Sequence, residues 1–172
     1  MDQAVQRAVR NLRKVLEADP DGPIIGDLPA GNQQAETSPG PLAEYYDFMR
    51  ECDGARCGII DFWSLDLIQS NQIVIEHFLN SKHWICVGQV LYEPLVIERG
   101  TGIVKIVRSI FPPDTIGHEL GTFNDFLAKY VFGPGYLILT PDFKSDSWAK
   151  LLDSEGYLSL PSYAVSESSN DN

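Results

Sequence analysis

The sequence predicts a single α+β domain in which a mainly antiparallel central sheet is flanked by helices. Three patterns carry that expectation. In residues 42–52, Leu42, Tyr45, Tyr46 and Met49 recur at the spacing of one helix face, and Phe48 and Cys52 widen the apolar arc. Residues 84–91, 93–98 and 103–108 are runs rich in β-branched and aromatic side chains, set apart by turn-forming residues such as Gly100 and Gly102. Strands joined by such short connections pair antiparallel. At 122–132 the helical period returns: Phe123, Phe126, Leu127, Tyr130 and Val131 share a face, Thr122 is placed to cap it, and Asp125 to complete a capping box.

The chain in order fills in the rest. Residues 3–18 set Ala4, Val5, Ala8, Val9, Leu12, Val15 and Leu16 against Arg7, Arg10, Arg13 and Lys14, an amphipathic helix with Asp2 as its N-cap. Asp19-Pro20-Asp21-Gly22-Pro23 ends it, and residues 19–41 form a long surface connection, either mobile or holding one short element around 24–28. After helix 42–52, Asp53-Gly54 turns the chain into a strand at 57–63. Residues 64–70 read as a short helical turn capped by Ser64, and 73–75 as a brief strand or a loop edge. Gly133-Pro134 stops helix 122–132, the apolar run 136–139 reads as a further strand, and 147–155 as a short helix with Trp148, Leu151 and Leu152 inward. The domain is expected to span 1–160. Residues 161–172, PSYAVSESSNDN, hold too little apolar surface to offset the entropy of ordering and are expected to form a flexible tail.

Composition bounds the function. A chain of 172 residues with 44% hydrophobic and 22% charged content matches one globular domain, and no apolar run approaches the ~18 residues of a membrane span. The N-terminal stretch alternates charge with small apolar residues and has no secretory core, so a cytoplasmic location is expected. Three cysteines, with Cys52 and Cys57 five apart, match neither a zinc knuckle nor a C-x-x-C pair and read as reduced thiols. The formal net charge of −11 opposes nucleic-acid phosphates.

A search for chemistry assigns no catalytic, cofactor-binding or metal-ligating residue. His118-Glu119-Leu120-Gly121-Thr122 begins like a zinc-protease helix, but Thr122 stands where the second histidine is needed, and His118 reads as a loop residue. His77 and His83 lack ligand spacing, and the glycines at 100–102 and 133–135 read as turns rather than phosphate loops. No Gly-x-Ser-x-Gly elbow exists, and nothing in the sequence brings Glu98 and Glu119 together as an acid–base pair. What stands out is acid. Residues 41–80 carry two arginines against seven carboxylates. Glu44, Asp47 and Glu51 form one helical stripe, with Asp53, Asp61 and Asp66 around the turn that follows. These six are the candidate partner-binding residues for a basic partner. The aromatics Tyr45, Tyr46, Phe62, Trp63, Trp84 and Tyr92 read as core packing or, in part, as interface anchors beside those carboxylates.

A helix ending in Asp53-Gly54, then the hydrophobic Gly58-Ile59-Ile60-Asp61-Phe62-Trp63, then Ser64-Leu65-Asp66-Leu67-Ile68, resembles the central signature of the SUKH superfamily. Trp84-Ile85-Cys86-Val87-Gly88 is similar to that family's strand ending in glycine, residues 94–107 to its following hairpin, and Gly121-Thr122-Phe123-Asn124-Asp125-Phe126-Leu127 to its helix start. The resemblance covers residues 42–131. It implies a non-catalytic immunity protein that binds a cognate toxin of a bacterial polymorphic toxin system, and the acidity fits a basic, nuclease-like toxin. Two other readings stay open: a small enzyme with an unrecognised site, and a regulatory scaffold like the family's fungal members.

Overall fold

The computed structural model describes residues 1–18, 25–36, 39–76, 79–107, 116–140, 142 and 144–158, with only the backbone of 116–118. Among them, seven strands form one antiparallel sheet in chain order: β1 Gly26–Asp27, β2 Ala55–Cys57, β3 Ile60–Phe62, β4 Trp84–Val90, β5 Glu93–Glu98, β6 Val104–Val107 and β7 Ile116–Glu119. Alternation along the strands gives the sheet two unequal faces. Ile85, Val87, Leu95, Ile97 and Val104 point into the main core, while Trp84, Cys86, Val96 and Val107 point to the opposite, outer side.

Helices α1 Gln3–Ala18, α2 Ala43–Glu51, α4 Phe123–Phe126 and α6 Ser147–Ser154 bring their apolar residues into the main core. Asp2 caps α1 by accepting from the Ala4 amide at 2.8 Å. α4 carries the expected capping box: Thr122 Oγ1 accepts from the Asp125 amide and Asp125 Oδ2 from the Thr122 amide. It continues through a π-helical turn, Leu127–Val131. Tyr45, Phe48, Phe62, Phe123 and Phe126 form the aromatic centre where α2, β3 and α4 meet. On the outer face Ile75, just after the 3₁₀ turn Gln72–Val74, packs on Trp84, Cys86, Val96 and Val107, while the preceding helix, α3 Leu65–Asn71, packs Leu65 and Ile68 against the main core.

The α+β architecture and the helices at 3–18, 42–52, 122–132 and 147–155 agree with the sequence reading. Several elements differ. The single strand expected at 57–63 is a hairpin, β2 and β3, turning at Gly58-Ile59. Gly58 has φ +62°, and a Cβ there would stand 2.1 Å from Tyr136 Oη, so this glycine belongs to a turn. Residues 136–139 form a short helix, α5 Tyr136–Leu139, not a strand; four apolar residues carry no decisive period. Residues 73 and 74 belong to the 3₁₀ turn, with Ile75 as its C-cap, rather than to a strand. The short element around 24–28 is β1, and the backbone of His118 lies in β7 rather than in a loop. On α2 the buried face is Tyr45, Phe48 and Met49, leaving Tyr46 half-buried, as Tyr130 is beyond α4. The expected tail, 161–172, lies outside the described residues.

Candidate functional site

The structure divides the six candidate carboxylates into two groups. Those on α2 and at its end are engaged within the chain. Glu44 Oε2 accepts from the Asn124 amide at 2.9 Å, at the start of α4, where a carboxylate meets the positive end of the helix. Asp47 takes the Met1 ammonium at 2.5 Å and also pairs with Arg50. Glu51 accepts from Arg10 at 3.1 and 3.3 Å and lies 4.0 Å from Arg13. Arg13 in turn donates to the carbonyls of Leu28, Pro29 and Glu51, locking α1, α2 and the segment after β1 together. Asp53 accepts from Asn32 Nδ2 at 3.1 Å and from the Leu65 amide at 2.8 Å. The last contact supplies the first turn of α3 with an acceptor that Ser64, its N-cap by position, does not provide.

Asp61 and Asp66 lie elsewhere, Asp61 on the outer side of the sheet and Asp66 on α3. Strand register places Asp27 opposite Arg56, Arg56 opposite Asp61 and Asp61 opposite Gln89, a polar row running across β1 to β4. Arg56 Nε donates to Asp61 Oδ1 at 2.9 Å, and Gln89 Nε2 to Asp61 Oδ2 at 2.9 Å. The hydrogen bond and charge of Asp61 raise the pKa of Arg56, with a smaller contribution from Asp27. This row floors a hollow of about 470 Å³ whose sides include Pro29, Trp63, Ser64 and Leu67. Trp63 Nε1 is buried beside the Cys86 thiol, and its interaction with that sulfur partly offsets the rise that burial imposes on the thiol's pKa. Asp66 is exposed on the first turn of α3 and accepts from Ser64 Oγ at 2.7 Å. In the same layer Leu67, Ile73 and Val74 are exposed apolar side chains.

α3 and its 3₁₀ extension are held on the sheet by one buried polar residue. Gln72 Oε1 accepts from the Cys86 amide at 2.9 Å, and Gln72 Nε2 donates to the Cys86 carbonyl at 2.9 Å and to the Ile68 carbonyl at 2.8 Å. β3 ends at Phe62, opposite Gly88, so the glutamine amide serves β4 as a strand would where β3 has run out.

The residues weighed for chemistry are dispersed. Glu98 accepts from Thr101 Oγ1, whereas Glu119 pairs with Lys105 at 3.0 Å. Cys52, Cys57 and Cys86 are free and buried, and burial pushes all three thiols up. His83 is exposed, and His77 lies outside the described residues. Among the described residues no three His, Cys, Asp or Glu side chains are grouped to hold a metal ion. No described helix is long and apolar enough to cross a membrane.

Sequence reasoning missed Asp27, Arg56, Gln89 and Leu67. For Arg56 and Asp61 a signal existed: they stand symmetrically about Gly58-Ile59, and opposite charges equidistant from a two-residue turn become a cross-strand pair. Asp27 and Gln89 depend on pairings too distant in sequence to be read that way. No protein-family model matches the chain, and no curated protein matches it either.

Proposed function

We propose that this protein is a non-catalytic interaction module that holds a basic protein partner against the outer face of its sheet, and that it serves as an immunity protein neutralising a cognate toxin of a bacterial polymorphic toxin system. The observation that carries the docking reading is the outer hollow. There Asp27 and Asp61 lie in a concave surface beside exposed Leu67, with Ile73 and Val74 in the same layer. An acidic floor with an apolar rim suits a cationic side chain projecting from a partner: the carboxylates steer and orient it, and the rim gains from desolvation. The net charge of −11 extends the same attraction beyond contact range. The toxin as partner comes from the SUKH-like run of motifs over 42–131.

The test is to look for a toxin domain encoded beside this protein's gene, whose absence would count against the immunity reading, and to co-express the two. Asp61→Lys/Leu67→Glu should remain folded, lose protection of the cell and associate at least tenfold more slowly, with the wild-type rate falling as salt rises. Glu44→Lys/Asp47→Lys/Glu51→Lys should instead lower the melting temperature, because each reversal breaks a contact between elements. A folded Asp61→Lys/Leu67→Glu variant that protects as the wild type does would exclude the outer face as the docking site. Binding without protection would favour a regulatory scaffold.

A further inference from the structure

The β4–β5 turn has an unusual occupant. Val90 pairs with Glu93, so Leu91 and Tyr92 alone make the turn, at φ 49° and 72°. Two-residue hairpins with both central residues left-handed are normally built from Asn-Gly or similar pairs, because a bulky L-residue meets its own backbone there. Leu91 and Tyr92 are the only non-glycine residues at positive φ among those described. They are also 42% and 87% exposed, so the packing of this chain does not account for their bulk. Backbone strain kept at exposed apolar side chains points to a contact made outside the chain.

The tip adjoins the acidic hollow. Leu91 follows Gln89 of the polar row by two residues, about 7 Å along the strand. Its amide donates to the Ile59 carbonyl at 3.0 Å, and the Ile59 amide donates to Tyr136 Oη at 3.1 Å. That chain of contacts seats the tip on the β2–β3 turn and brings it to α5, whose Ile138 is 76% exposed. β3 leads the other way, through Trp63, into α3. The polar row therefore lies between α3 on one side and the Leu91-Tyr92 tip on the other.

We propose that the Leu91-Tyr92 tip is the apolar anchor of the docking surface, inserted into an apolar pocket on the same basic protein whose cationic side chains sit over Asp27 and Asp61. The proposal rests on the docking reading above and specifies the partner's surface: a pocket beside a basic projection. The shapes are complementary, since a two-residue turn is convex and needs a receptor, while the hollow is concave and needs a projection. Tyrosine suits the role because it buries a large ring with little rotamer freedom to lose and offers a hydroxyl to an acceptor in the pocket.

The test compares Leu91→Asn/Tyr92→Gly, Tyr92→Ala and Asp61→Lys with wild type, using a catalytically inactive form of a toxin domain found encoded beside this protein's gene; finding none counts against the docking reading and the anchor together. The Asn-Gly variant should melt about 2–6 °C higher in the free state, as strain is relieved. It should also bind at least tenfold more weakly through faster dissociation and fail to protect cells. Tyr92→Ala should weaken binding similarly without the gain in melting temperature, and Asp61→Lys should act on association and its salt dependence. Tip variants that bind within twofold of wild type, while Asp61→Lys weakens binding, overturn the anchor and leave the docking reading standing. A melting temperature unchanged or lowered in the Asn-Gly variant overturns the strain on which the anchor was inferred. A wild-type protein that does not bind the toxin overturns both.

Discussion

Replacing Gln72 by leucine tests whether one buried amide holds the outer layer in place. Gln72 is 6% exposed, and its side chain spans both the amide and the carbonyl of Cys86. Leucine keeps the bulk but leaves one buried N–H and one buried C=O of β4 unpaired. Each costs about 1–3 kcal/mol, and the apolar side chain returns about 1 kcal/mol by its own burial. The expected loss is about 1–5 kcal/mol, a sizeable share of the ~5–15 kcal/mol that stabilises a typical domain. Urea unfolding would measure it, and hydrogen exchange would locate it: the Cys86 amide should lose protection before the amides of β5 do. Gln72→Glu supplies a second measurement. A protonated carboxyl again offers one donor and one acceptor, so this variant should approach wild type at acidic pH and fall behind it as the carboxyl ionises in a buried site. A loss under about 0.5 kcal/mol for Gln72→Leu, with Cys86 protection intact, would refute the clamp and with it the account of how α3 is positioned beside the hollow.

Two further outcomes follow from the core. Leu127, fully buried at the start of the π-helical turn that follows α4, should cost about 2–5 kcal/mol as Leu127→Ala in the same urea assay. The second concerns alkaline pH. Burial pushes the Cys52 thiol up to about 12 and raises those of Cys57 and Cys86 and the phenols of Tyr45 and Tyr136. The unfolded chain therefore loses these protons first: the stability they contribute is complete below about pH 8.5 and declines as pH rises toward 12, by about 1.4 kcal/mol per unit for each group titrating. The urea midpoint measured from pH 7 to 11 would show the fall, and a flat profile would contradict it.

Local chemistry made much of the fold legible. Asp2 and the Thr122–Asp125 box announce helix starts because orphan amides need acceptors close in sequence. The runs that became β4, β5 and β6 are long enough for their composition to decide. What escaped was short or depended on partners far along the chain. β1 is two residues long and exists because β2 pairs with it. Gly58 reads equally well as a strand residue or a turn until Tyr136, 78 positions later, takes the space a Cβ would need. Tyr92 could be read as a core aromatic or an interface anchor, and only the hairpin register places it at an exposed turn.

The acidic stripe on α2 shows why a charge pattern does not by itself mark a docking surface. The basic face of α1 and the acidic stripe of α2 are each legible in the sequence, but helical periodicity cannot say that the two will adjoin. In the fold they do: Arg10 and Arg13 meet Glu51. As partly exposed pairs such contacts are worth about 0–1 kcal/mol each, so their consequence is mainly positional. A partner competing for Glu51 must displace Arg10 and compete with Arg13, whose guanidinium also holds three backbone carbonyls. Over Asp61 the competitor is Arg56, with a side chain 54% exposed and no second acceptor among the described residues, and Asp27 is exposed across from it. Arg56 can turn into solvent at little cost and yield its carboxylate to an incoming cation. Charge attracts from anywhere on the molecule, but it becomes contact where the resident counter-charge is weak or easily displaced, and that condition favours Asp61 in the hollow, together with the exposed Asp66, over Asp47 and Glu51 on α2.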